Sequence, residues 1–419
     1  MGIKVGDVLD VRTERLAYGG DAIARHGNMV LFIPYAAPDE FLRVRVVNVK
    51  KTFARAVVQE IIEPSPERRE PPCRYFGVCG GCQLQHISYE AQLNAKAGFI
   101  RDSLSRIGHI DWPHEIEILP SPEFEYRNRA QIKVQYPHGS HDSSAVGPLV
   151  GLNKHGSHSV CDIESCPILE PRLNAALAEL RRLAAERSLS GSVPGAVAAE
   201  LKNLPPEVEI ATGDSGVSFA PQFSGLPGGA VSRTVGSSVY KFTPEVFFQS
   251  NSFLLERLVR CAAGDGQGRL AVDLYCGAGL FTGALARTFG EVLGIESDRA
   301  AAALAVENMT GNGIANVRII NDSAENFARD YAGRVRHADV SRPDLLILDP
   351  PRTGAAEALS DLVEIAPENI TYVSCDPTTL ARDLRRLIDG GYVVHEIIGL
   401  DLFPQTYHVE TIARMARKV

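Results

Sequence analysis

Four groups of residues in this 419-residue chain are spaced as chemistry would need them. The first is a single thiol, Cys375 in ITYVSCDP, at the C-terminal end of a predicted strand, where open α/β sheets place their sites. As a thiolate it is a nucleophile; as a thiol it is a small buried hydrophobe. The second is DLYCGAGLFT (273–282), which sets Asp273, Gly277 and Gly279 at a turn from strand into helix. Small residues there let backbone amides approach a ligand. About twenty residues on, GIESD ends the next strand in Glu296, a carboxylate able to accept bonds from ribose hydroxyls. Thr282 stands where a dinucleotide fingerprint has its third glycine, so a nucleoside-like ligand fits better than a clamped pyrophosphate. The third group is Cys73-x5-Cys79-x2-Cys82, with Gly80 and Gly81 inside it and either Cys161 or Cys166 available as a fourth ligand. Four thiolates suit structural zinc or an iron–sulfur cluster, and the x5 spacing departs from the x2 pairs of zinc ribbons. The fourth is Glu410 in HVET, a candidate general base with His408 and Asp376 as competitors; a solvated carboxylate on an edge strand is the plainer alternative.

Those side chains need elements to hold them. From about residue 245, RLAVDLY, EVLGIE, NVRIIN, PDLLILD, ITYVSC and YVVHEIIGL read as strands, with helical stretches such as SDRAAAALAVENMTGNG between most of them. That alternation predicts a doubly wound α/β domain, Rossmann-like with a mostly parallel sheet. The first sixty residues hold the β-rich runs VGDVLDVRTERL, NMVLFIPYA, EFLRVRVVNVKKTF and ARAVVQEII, separated by the turn clusters AYGGDAIARHGN and APDE, which predicts a small barrel. PSPERREPP (64–72) reads as a linker. Between lie the cysteines, a helix over SYEAQLNAKAGFIRDSLSRIG, a strand in RNRAQIKVQY, a turn-rich stretch at 138–158 and a helix at 173–188. The expected domains are a β-barrel at 1–62, a mixed α+β cysteine-bearing domain at 63–244 and the doubly wound domain at 245–419.

Charge narrows the partners. The formal net charge is −8, yet residues 1–61 carry 9 Lys/Arg against 7 Asp/Glu while residues 245–419 carry 17 against 24. A polyanion is therefore expected on the N-terminal part. LRVRVVNVKK gives one strand a cationic face, and Arg127, Arg129 and Lys133 in YRNRAQIKV suggest a phosphate or base contact surface. MGIKVGDVLDVRTERL has no apolar core of a signal peptide, and no run of 18 apolar residues occurs. A soluble cytoplasmic protein is expected, without disulfides, so its eight cysteines need another account.

FFQSN (247–251), DPPR (349–352), SCDP (374–377) and HVET (408–411) together resemble the RNA 5-methyluridine methyltransferase family. The class I S-adenosylmethionine-dependent, iron–sulfur 23S rRNA uracil-5-methyltransferase type is the nearest pattern. Arg352 replaces the aromatic that amino-group methyltransferases carry after DPP, which speaks against nitrogen methylation. The resemblance implies that Gln249, Tyr275, Glu296 and Asp349 line the S-adenosylmethionine pocket, with Ser323 near the adenine where relatives often carry Asp or Asn. It implies that Cys375 adds to carbon 6 of uracil and Glu410 removes the carbon 5 proton. It further implies a 4Fe–4S cluster on Cys73, Cys79, Cys82 and Cys166, and an RNA-binding TRAM domain as the barrel. A monomer is expected, acting away from membranes on a flipped uridine, in ribosomal RNA rather than transfer RNA. A tRNA uridine-5-methyltransferase is the nearest alternative, and a non-catalytic RNA-binding protein is the alternative of another class.

Overall fold

The structure, a computed structural model, describes residues 3–136, 147–190 and 204–418, with side chains 188–190 left aside. Residues 138–146 of the expected turn-rich stretch lie outside the described residues. The N-terminal segment closes into a five-stranded barrel of β1 (Val8–Leu16), β2 (Ala22–His26), β3 (Met29–Ile33), β4 (Phe41–Val49) and β5 (Phe53–Glu63), in the order β1-β2-β3-β5-β4. Period-two alternation builds it: Leu42, Val44 and Val46 point inward and are buried, while Arg43 and Arg45 point outward. Each such buried aliphatic side chain contributes roughly 1.5–3 kcal/mol. Arg43 is bonded to Asp10 and Glu60 on the flanking strands, so the cationic face is partly neutralised. Strand β2 falls inside the cluster AYGGDAIARHGN that reads as a turn; its five residues lie between glycines and carry too short an apolar run to register. The expected linker is a packed strap instead. Arg68 pairs with the fully buried Glu40 of the barrel and donates to the Tyr35 carbonyl (2.9 Å), and Arg69 reaches Glu123 (2.6 Å).

Helix α1 (Tyr89–Arg106) and the short strand β6 (Glu117–Leu119) follow. A five-stranded sheet, order β11-β10-β7-β8-β9, then forms from β7 (Arg129–Gln135), β8 (Leu149–Asn153), β9 (Val160–Asp162), β10 (Glu207–Thr212) and β11 (Val217–Ala220), with α2 (Pro171–Ser190) packed on it. A hairpin of β12 (Val231–Val235) and β13 (Ser238–Phe242) leads into the last region.

That region alternates α3 (Leu255–Ala263), β14 (Gly268–Leu274), α4 (Leu280–Leu285), β15 (Phe289–Glu296), α5 (Arg299–Gly311), β16 (Val317–Asn321), α6 (Ala324–Arg336), β17 (Leu345–Leu348), α7 (Leu359–Ile365), β18 (Asn369–Ser374), α8 (Pro377–Asp389), β19 (Tyr392–Leu400) and β20 (Glu410–Arg417). The sheet order is β16-β15-β14-β17-β18-β20-β19-β6. Strands β14 to β18 run parallel, as expected, and β20 inserts antiparallel between β18 and β19. The division expected at residue 245 does not follow this sheet: β6 extends it beside β19, and α1 packs on α8. The hairpin β12–β13 is likewise tied to α5 through Asn308 and Asn312. Among the described residues no helix is long and apolar enough to cross a membrane.

Candidate active site

SCDP is a strand end joined directly to a helix start. Ser374 closes β18, and Asp376 caps α8, accepting from the amides of Thr378 (2.8 Å) and Thr379 (3.3 Å). Pro377 supplies the first helical residue, where its missing N–H costs nothing. Cys375 is thus the one residue between a parallel strand's carboxyl end and a helix N-terminus, whose dipole favours a thiolate. Burial and the nearby carboxylates of Glu410 and Asp349 outweigh that effect, pushing the thiol up to about 12 against the pull of Arg352.

Glu410 opens β20. The β18–β20 ladder pairs Ser374 with Thr411, so the next step sets Cys375 opposite Glu410. Glu410 is 3% exposed and lies in the sheet interior rather than on an edge. Burial and Asp349 raise its pKa well above the carboxylate range. The competitors are otherwise engaged. Asp376 is committed to its cap, and His408 faces Arg352 at 3.3 Å. Burial and that guanidinium drive the imidazole down to about 3, which makes it a weak base.

The loop before Glu410 is caught carbonyl by carbonyl. Asn251 donates to Leu402 (3.1 Å), Lys96 to Phe403 (3.0 Å), Tyr126 to Pro404 (2.9 Å), and the amides of Gln83 and Leu84 to Gln405 (3.0 and 2.9 Å). Lys96 also forms a fully buried ion pair with Asp401. Sequence reasoning missed these anchors, along with Asp383, which holds the DPPR loop by accepting from the Ala355 amide (2.9 Å) and the Tyr372 hydroxyl (2.7 Å). Their partners are far away in sequence, so no local spacing marks them.

The remaining acidic groups gather at the carboxyl ends of β14, β15 and β17. Asp273 is fully buried, which pushes it up to about 7, and its Oδ1 has no hydrogen-bond partner among the described residues. Asp349, one strand over, is raised by burial and by Asp273, while a bond from Gln249 Nε2 (3.2 Å) opposes that rise. Tyr275 (φ +63°), Gly277 (φ +55°) and Gly279 (φ +87°) bend the chain between them. The Gly277 amide donates to Glu296 (2.9 Å), and a Cβ at Gly277 would meet nothing within 4 Å, so this face of the turn is open. Tyr275 donates to Glu325 (3.0 Å), and Ser323 caps α6 by accepting from the Asn326 amide (3.1 Å). The structure therefore brings Gln249, Asp349, Glu410 and Cys375 together, with Tyr275 and Glu296 on the adjacent strand ends. Partly buried carboxylates with one orphaned oxygen favour a ligand carrying positive charge.

Elsewhere, Cys73, Cys79, Cys82 and Cys166 line one cavity of about 380 Å³; Cys161 shares the buried core of the five-stranded sheet domain with Cys82 and Cys166 but is not among the residues lining that cavity. Among the described residues no group of three or more His, Cys, Asp or Glu is placed to hold a metal ion. The expected basic surface at 127–133 is corrected. Arg129 is an internal clamp that donates to the carbonyls of Pro244 (2.8 Å) and Val246 (2.9 Å), because the FFQSN segment crosses over it. Lys133 is paired with Glu207.

A family model described as tRNA (Uracil-5-)-methyltransferase matches residues 233–418, and a TRAM domain model matches residues 3–58. The chain is 33% identical over 455 residues to an uncharacterized RNA methyltransferase of Thermosynechococcus vestitus, covering 97% of this chain and 98% of that protein. It is 32% identical over 453 residues to the 23S rRNA (uracil(1939)-C(5))-methyltransferase RlmD of Alkalilimnicola ehrlichii, covering 96% and 95%. The crystal structure of Pyrococcus abyssi tRNA (uracil-54, C5)-methyltransferase in complex with S-adenosyl-L-homocysteine shares the fold, with a TM-score of 0.70 at 24% identity over 97% of this chain and 100% of that one. By sequence and by fold, this chain belongs to the RNA (uracil-5-)-methyltransferase family.

Proposed function

We propose that the chain methylates carbon 5 of a uridine in RNA, with Cys375 as nucleophile, Glu410 as base and S-adenosylmethionine as donor. The observation that carries this reading is the β18–β20 register, which opposes a thiol and a buried carboxyl at the sheet's carboxyl end. Carbon 5 of uracil is a poor nucleophile until a thiolate adds at carbon 6 and pushes electrons toward it. The donor, when bound, supplies an electrophilic methyl group on a positively charged sulfur. Asp349, Gln249, Glu296 and the open turn at Gly277 would hold it, since their charge and free space suit a cationic nucleoside. Cys375, having lost its thiol proton to solvent, bonds to carbon 6. Carbon 5 takes the methyl group as the methyl–sulfur bond of the donor breaks, leaving neutral S-adenosylhomocysteine. Glu410, as the carboxylate, removes the carbon 5 proton. The carbon–sulfur bond then breaks, the ring double bond re-forms and the thiolate is released.

The RNA is proposed to be 23S ribosomal RNA, on the strength of near-full-length identity to proteins named for that substrate. Cys73, Cys79, Cys82 and Cys166 are proposed to hold a 4Fe–4S cluster. All four line one cavity, and four thiolates are the ligand set such a cluster takes. No step of the methyl transfer passes through it.

Incubating the purified protein with donor and unmodified RNA, then digesting to nucleosides for mass spectrometry, tests the activity. 5-Methyluridine formed from 23S RNA but not from transfer RNA is the expected result. Formation on transfer RNA alone would move the substrate to the other class.

A further inference from the structure

The barrel reaches into the catalytic site through the turn between β1 and β2. Gly20 (φ +93°) seats that turn on the cysteine-bearing segment, where a Cβ would press Gln83 at 3.0 Å. Tyr18 then leaves the barrel edge-on. Its ring meets Tyr407 at 5.3 Å and 90°, and Phe99 at 6.0 Å and 74°. Tyr407 in turn lies 4.1 Å from the His408 ring, whose imidazole touches Arg352 of the DPPR loop. Tyr18 is half-buried, and no hydrogen bond to its hydroxyl is made among the described residues, whereas the Tyr126 hydroxyl is satisfied by Pro404. Burial raises the Tyr18 pKa, and Asp376, Tyr407 and Cys375 add to that rise while Arg352 opposes it. The phenol therefore stays protonated as a donor, and each of those groups belongs to a catalytic element.

A base pulled out of its stack needs a ring to lie against and a polar partner for its edge. We propose that Tyr18 is a substrate-contacting residue of the methylation site: its ring, set against Tyr407, walls the space beside Cys375, and its hydroxyl donates to the unstacked nucleotide held there. This rests on the Cys375 reading above. It gives the barrel a part in recognising the base, beyond binding the RNA backbone.

Tyr18→Phe and Tyr18→Ala, measured for kcat, KM for RNA and donor affinity, test it. Tyr18→Ala should lower kcat/KM for RNA roughly 5- to 150-fold, the span of one stacking contact. Tyr18→Phe keeps the packing and removes one hydrogen bond, so it should lose roughly 2- to 12-fold, chiefly through KM for RNA. Its melting temperature and donor affinity should match wild type. A Tyr18→Phe enzyme with wild-type kcat/KM overturns the proposal, whatever Tyr18→Ala does. Wild-type protein that forms no covalent adduct with 5-fluorouridine RNA would instead remove the Cys375 reading, and this inference with it.

Discussion

Cys375 and Glu410 face each other because Ser374 is registered on Thr411 in the β18–β20 ladder. The sheet's last registered pair, one step before Cys375, sets the spacing between the proposed nucleophile and base. The antiparallel insertion of β20 between β18 and β19 is what buries the carboxyl there. The geometry of the proposed catalytic pair thereby becomes a property of strand register.

Glu410→Gln should separate the two halves of the reaction. Addition and methylation need Cys375, whereas elimination needs the base. A positioned carboxylate contributes roughly 10²–10⁴-fold to such a proton removal. Glu410→Gln is expected to accumulate a methylated protein–RNA adduct on denaturing gels, and adding Cys375→Ala should abolish it. Wild-type turnover without adduct would assign the base to another group.

Donor binding should depend on pH. Burial pushes Asp273 up to about 7, burial and Asp273 push Asp349 up to about 7, and burial and Asp349 raise Glu410. Below about pH 7 Asp273 and Asp349 hold protons; above it they are charged and attract a sulfonium. The dissociation constant for S-adenosylmethionine should therefore rise as pH falls from about 8 to about 6, by up to about tenfold per pH unit for each proton released. S-Adenosylhomocysteine, uncharged at sulfur, should show the shallower slope. Calorimetry in two buffers of different ionisation enthalpy measures the protons directly, and a constant affinity across that range would contradict the carboxylate pocket.

The cysteine cavity makes a distinction between neighbours. Anaerobically purified protein should contain about four iron and four sulfide per chain. Cys166→Ser should lose them, while Cys161→Ser, whose side chain is not among those lining the cavity, should retain them. Stoichiometric zinc without iron would exclude the cluster.

Arg129→Ala should behave as a loss of structure rather than of RNA charge. Two backbone carbonyls lose a cationic donor, at a cost of about 2–3 kcal/mol, seen as a lower melting temperature. The slope of RNA affinity against salt should stay as in wild type, since the Arg129 guanidinium is taken up by backbone carbonyls. A reduced slope would return Arg129 to the RNA surface.

Much of the fold was legible because period and punctuation agree. The apolar runs ending at Leu274, Glu296, Leu348 and Ser374 became parallel strands, and Asp376-Pro377 marks a helix start by chemistry alone. Strand β2 was hidden by its glycines, and the strap at 64–72 by prolines that suggest a spacer while Arg68 and Arg69 pin it. The placement of β6 and the role of Arg129 depend on partners more than a hundred residues away, which no window of sequence contains. At the site, the motif residues stood out by type. The side chains that hold them, Lys96, Asn251 and Asp383, look like ordinary polar residues until their buried partners are seen.

The most direct measurement is a peptide mass spectrum after reaction with donor and RNA carrying 5-fluorouridine at the target. Fluorine cannot leave as a proton does, so elimination stops with the base attached. The expected spectrum shows the peptide containing SCDP carrying a 5-fluoro-5-methyl-5,6-dihydrouridine nucleotide bonded through carbon 6 to Cys375. Methylation of ordinary RNA by the same preparation with no nucleotide on Cys375, or with one on another residue, would contradict the covalent mechanism.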